Sequence, residues 1–89
     1  MHDMSTCSLL YFYNVTPAQW AAARAEVATK YGIEIATDVG EAEKDGITIG
    51  WNYSGGNLSI QVVGNVFMIP CDYLNAQIDA AVKAGLGKT

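Results

Sequence analysis

The chain has 89 residues, with hydrophobic residues at 51%, charged residues at 16% and a formal net charge of -4. That length fits one domain and leaves no room for a second, with roughly 60–65% of the unfolded surface removed from water on folding. The hydrophobic content excludes a disordered chain, and 5 Lys and Arg against 9 Asp and Glu argue against a nucleic acid or an anionic membrane surface as partner.

Met1 to Thr6 lacks the basic start of a signal peptide, and the apolar run Leu9 to Tyr13 is too short to span a membrane, so the expectation is a soluble, cytoplasmic protein. Cys7 and Cys71 are too few for a disulfide framework, and the sequence does not decide whether they pair; reduced thiols are the default. The single histidine leaves no zinc-ligand spacing.

Ser8-Leu9-Leu10-Tyr11-Phe12-Tyr13 is a short aromatic-rich run that predicts a strand with large groups on both faces, central or nearly central in a sheet. Next, Val15-Thr16-Pro17-Ala18-Gln19-Trp20 carries agreeing helix-start signals. Thr16 suits the N-cap, Pro17 the first helical position, Gln19 completes a capping box, and Val15 and Trp20 stand where a hydrophobic staple forms. The helix runs to Tyr31 with Trp20, Ala23, Val27 and Tyr31 on one stripe, and Gly32 stops it. Ile33-Glu34-Ile35-Ala36 predicts a second strand with both isoleucines on one face.

Thr37 to Asp45 is acidic and without sustained periodicity, which predicts a surface loop. Asp38, Glu41, Glu43 and Asp45 lie close together, but the Asp/Asn alternation and terminal Glu of a calcium loop are missing, so no metal is expected. From Gly46 to Val62 apolar and small or polar residues alternate around Ser54-Gly55-Gly56-Asn57. This is a half-buried hairpin in which Tyr53 faces Leu58, Trp51 faces Ile60 and Ile49 faces Val62 on the core side. The opposite face carries Thr48, Gly50, Asn52, Ser59 and Gln61, with no acid, base, thiol or imidazole.

Gly64-Asn65 suits a tight turn into a further strand that Pro70 ends. That register sets Val62 against Phe67 and Ile60 against Ile69 on the core side, and turns Val63, Val66 and Met68 outward. Cys71 to Ala84 is a second amphipathic helix with Leu74, Ile78, Ala81 and Val82 inward, capped by Cys71 or Asp72 and ended by Gly85. The expected order is β-α-β-β-β-β-α. It describes an α+β two-layer sandwich with a mixed five-stranded sheet and both helices on one face, the first β-α-β unit being a right-handed crossover if its strands are parallel.

Chemistry is sparse. Cys71 is the one residue in a setting that lowers a thiol pKa, at the positive end of a helix dipole. Asp72 beside it favours the neutral thiol, and the sole histidine, His2, is remote in sequence, so no catalytic residue, metal or cofactor is assigned and a non-enzymatic role is expected. Gly55, Gly56 and Gly64 read as turn residues, since none leads into a helix as a phosphate cradle does.

Two helices cover only one sheet face, yet the first strand has Leu9, Tyr11 and Tyr13 on one side and Leu10 and Phe12 on the other. Apolar groups therefore point outward whichever side is buried. Phe12, Val63, Val66 and Met68 are the expected partner-binding residues, and they predict a protein-interaction module or a homodimer. Two alternatives stand beside it: a small-ligand pocket between sheet and helices lined by Trp20, Trp51 and Tyr53, and a thiol enzyme built on Cys71.

Overall fold

The computed structural model describes residues 6–67 and 69–87. Met68, one of the expected partner-binding residues, lies outside the described residues. The elements in chain order are β1 (Leu10–Phe12), α1 (Pro17–Tyr31), β2 (Val39–Lys44), β3 (Ile47–Ser54), β4 (Asn57–Asn65) and α2 (Cys71–Leu86). They make an α+β fold whose four strands run in the order β1-β4-β3-β2, every pairing antiparallel.

The first helix starts where its sequence says. Thr16 accepts from the Gln19 backbone N–H and the Gln19 side chain accepts from the Thr16 N–H, while Gly32 ends the helix with φ of 68°. Removing the cap with Thr16→Ala costs about 1 kcal/mol of stability, to be read from chemical denaturation. A variant with an unchanged midpoint would mean that the capping box contributes nothing.

The central hairpin also has the expected register: Tyr53 pairs with Leu58, Trp51 with Ile60 and Ile49 with Val62. Its loop is Gly55-Gly56, both with positive φ, as a two-residue hairpin turn requires. A bulge at Thr48/Ile49 skips Val63 on β4.

Several expectations about the sheet are corrected. Ile33–Ala36 forms no strand; Ile33 and Ile35 are buried side chains on the connection between α1 and β2, so no parallel crossover arises and the sheet is not mixed. The acidic stretch expected to be a loop contains β2, joined to β3 by Asp45-Gly46 with φ of 53° and 84°. The Glu43 carboxylate accepts from the Gly46 N–H at 2.9 Å, fixing that turn. Gly64-Asn65 is not a turn, and the fifth strand is absent from the described residues. Asn65 stays in β4 and its buried side chain donates to the Ile69 carbonyl at 2.7 Å. Val66 then donates to the Gly46 carbonyl, which leads the chain over the β2–β3 turn rather than back along β4. Phe67, expected in the core, is exposed there.

β1 is an edge strand rather than a central one. Its register sets Leu10 against Ile60 and Phe12 against Leu58, so both face the core with the other buried residues of β3 and β4. A single apolar cluster joins that face to both helices through Trp20, Ala23 and Val27 of α1 and Ile78, Ala81 and Val82 of α2. Burial of each large member contributes about 1.5–3 kcal/mol.

The second helix differs at both ends. Pro70, not Cys71 or Asp72, occupies its N-cap without a side-chain hydrogen bond. Gly85 does not end it; the helix runs to Leu86, and Gly85 is buried against the Ala22-Ala23 backbone of α1.

Candidate functional site

The sheet face away from the core is built from rows of residues that the strand register aligns. One row crosses the sheet as Tyr11, Ser59, Asn52 and Val39, from β1 through β4 and β3 to β2. Beside it, Gln61, Gly50 and Glu41 form a second row on β4, β3 and β2. Leu9, next to that row at the β1 edge, lines the same shallow groove as Gln61 and Val63. Gly50 also lines this groove, and a Cβ there would stand 3.3 Å from the Glu41 side chain.

The apolar groups sit at the two edges. Tyr11 is 57% exposed and Tyr13 66%, and their rings lie 4° from parallel with centroids 6.3 Å apart. Val39 is exposed at the opposite edge. Between them Asn52, Ser59 and Gln61 supply amide and hydroxyl groups. Gln61 also donates to the Cys7 carbonyl at 2.6 Å, and Cys7 donates its N–H to Val62, so the segment leading into β1 is pinned along β4.

Of the residues expected to form the partner surface, Phe12, Val63 and Val66 do not come together. Phe12 faces the core and Tyr11 takes the outward place, because the Phe12–Leu58 pairing puts Phe12 on the buried side. Val63 borders the groove from its bulge. Val66 is exposed, but it packs over Gly46 at the β2–β3 turn, and Phe12 lies near the opposite end of β4, about 25 Å away at strand rise. The residues missed in the expected surface are Leu9, Tyr11, Tyr13 and Val39. Alternation already grouped the first three; the side that the core takes was the missing fact.

The aromatic pocket expected from Trp20, Trp51 and Tyr53 is filled by those residues themselves. Trp20 stacks on Tyr53 with centroids 5.4 Å apart, and Arg24 lies over the Trp20 ring. Trp20 donates to the Asp38 carboxylate, Trp51 to the Thr37 carbonyl and Tyr53 to the Val15 carbonyl. Each polar tip is satisfied, so the three brace the core.

Cys71 is bonded to Cys7, with Cα atoms 5.4 Å apart, which corrects the reduced-thiol expectation. Pinning of the segment before β1 along β4 brings Cys7 to the start of α2, where Asn75 also donates to the Ser8 carbonyl. A disulfide sulfur has no thiolate to attack with, so this state offers no thiol chemistry at Cys71. Among the described residues, no three His, Cys, Asp or Glu side chains gather as a metal site, and no helix is long and apolar enough to cross a membrane. The chain matches no family model, no curated protein and no solved structure.

Proposed function

We propose that the protein is a non-enzymatic interaction module that pairs with a second copy of itself through the outer face of its sheet. The row Tyr11, Ser59, Asn52, Val39 carries this reading. A two-fold axis parallel to the strands lays β1 of one copy over β2 of the other, and β4 over β3. Tyr11 then meets Val39 of the second copy and Ser59 meets Asn52, aromatic on aliphatic and hydroxyl on amide. Such an isologous contact is self-complementary. It also sets Glu41 opposite the Leu9 edge rather than opposite another Glu41, so like charges stay apart. Exposed tyrosines around small polar groups are the composition that recognition surfaces favour.

The expected test separates the two faces of β1. Tyr11→Ala with Tyr13→Ala weakens the pairing by about 2 kcal/mol or more, since truncating an interface tyrosine can cost that much, and leaves the circular dichroism spectrum and melting temperature near those of the wild type. Phe12→Ala instead destabilises the fold by about 3 kcal/mol. Equal unfolding by both changes would place Tyr11 in the core and remove the proposed surface.

The disulfide bears on the compartment. Such bonds persist in oxidising surroundings and are rare in the reducing cytosol, so the Cys7–Cys71 bond argues for an oxidising compartment against the cytoplasmic expectation.

A further inference from the structure

Away from the outer face, the end of α1, the first half of α2 and the β2–β3 turn enclose a cleft of about 270 Å³, near the lower end of the roughly 300–1,000 Å³ of small-molecule sites. Ile33, Ile47 and Ile49 line one side and Leu74 and Ile78 the other. Polar groups break this apolar lining, Tyr73 and Gln77 among them. The Tyr31 hydroxyl is buried without a hydrogen-bond partner, a cost of about 1–3 kcal/mol that the fold does not offset there. Lys30 and Lys44 border the cleft, in a chain with only 5 Lys and Arg. Asp45 shares the rim, so the three charges leave one net positive charge beside an apolar hollow.

We infer that this cleft binds a small monoanionic amphiphile, a carboxylate on an aryl or branched alkyl body. The body displaces water from the isoleucines and Leu74, and the carboxylate faces the two ammonium groups and, once the Tyr31 ring turns to bring its sealed hydroxyl to the cleft, accepts from that hydroxyl, a charge-assisted arrangement. Burial, and after it the neighbouring Tyr73, raise the Tyr31 pKa, so its O–H stays a donor at neutral pH. The end of the Lys44 side chain lies against Gly32, at the end of α1 beside the cleft that Lys44 lines. This site shares no residue with the outer face, and it stands or falls separately from the self-association.

The test titrates the oxidised protein with 3-phenylpropionate and with its neutral amide, following amide and methyl shifts by NMR. Saturable shifts at Ile49, Leu74 and Ile78, with the amide about tenfold weaker, are expected from the loss of a charged hydrogen bond. Tyr31→Phe weakens the carboxylate by a similar factor while leaving the free protein as stable as wild type or more so, because the hydroxyl it removes has no partner. Lys44→Gln weakens it without changing the affinity of the amide. Equal affinity for carboxylate and amide, absence of saturation, or shifts confined to the Tyr11–Tyr13 face would overturn the inference. So would a Tyr31→Phe variant that loses stability and keeps its affinity.

Discussion

Replacing Cys7 and Cys71 together with serine is expected to lower the unfolding free energy by about 4 kcal/mol. The bond joins residues 64 apart in sequence, and a cross-link over a loop that long removes much of the conformational freedom of the unfolded chain. The effect is large against a total stability of about 5–15 kcal/mol, in a chain near the lower size limit for a self-sufficient core. Urea denaturation of three samples checks it: oxidised wild type, wild type reduced with dithiothreitol, and the double variant. The last two should share a midpoint well below the first. A double variant as stable as oxidised wild type would show that the bond does not restrain the unfolded state.

Gly85→Ala is expected to destabilise the protein by about 1–3 kcal/mol or more, the cost of overpacking a tight contact. The sign is what makes the substitution informative, because glycine to alanine inside a helix ordinarily stabilises by about 1 kcal/mol. Here a Cβ at position 85 falls 2.5 Å from the Ala23 nitrogen and 2.7 Å from the Ala22 carbonyl carbon. Both are backbone atoms, so no side chain can turn aside, and α1 and α2 have to separate. Gly87→Ala is the control: its nearest neighbour is the Lys83 carbonyl oxygen at 3.4 Å, and it should change little. Stabilisation by Gly85→Ala would mean that the two helices do not approach this closely.

Local chemistry made some of this readable from sequence. Thr16, Pro17 and Gln19 state a helix start within four residues, and the alternation from Ile47 to Val62 states a register. The misses share a cause, which is that the deciding partner lies outside the local motif. Asp45-Gly46 and Gly64-Asn65 are both turn-prone dipeptides, yet only the first turns. The second is held in β4 because Asn65 serves Ile69 and Val66 bonds Gly46. β2 went unread because its core-facing residues, Gly40 and Ala42, are small and poor strand formers. The reason is on the neighbouring strand, where the Trp51 ring lies over Gly40, 3.2 Å from where a Cβ would stand, and crowds a larger side chain. Gly85 reads as a helix stop in sequence and is a helix contact in space. The polar part of the outer face, Asn52, Ser59 and Gln61, was legible; its tyrosine edge depended on the burial of Phe12, which a strand with large groups on both sides does not reveal.

Self-association through the outer face is most directly tested by sedimentation equilibrium of the oxidised protein over a dilution series, beside the variant Tyr11→Glu with Tyr13→Glu. The wild type should show a monomer–dimer equilibrium that shifts toward dimer with concentration. The variant should remain folded by circular dichroism and sediment as a monomer throughout, because two carboxylates on each copy would be desolvated without partners in the interface. A wild type that is monomeric at every concentration, or a variant that dimerises as tightly as the wild type, would contradict the proposed role of this face.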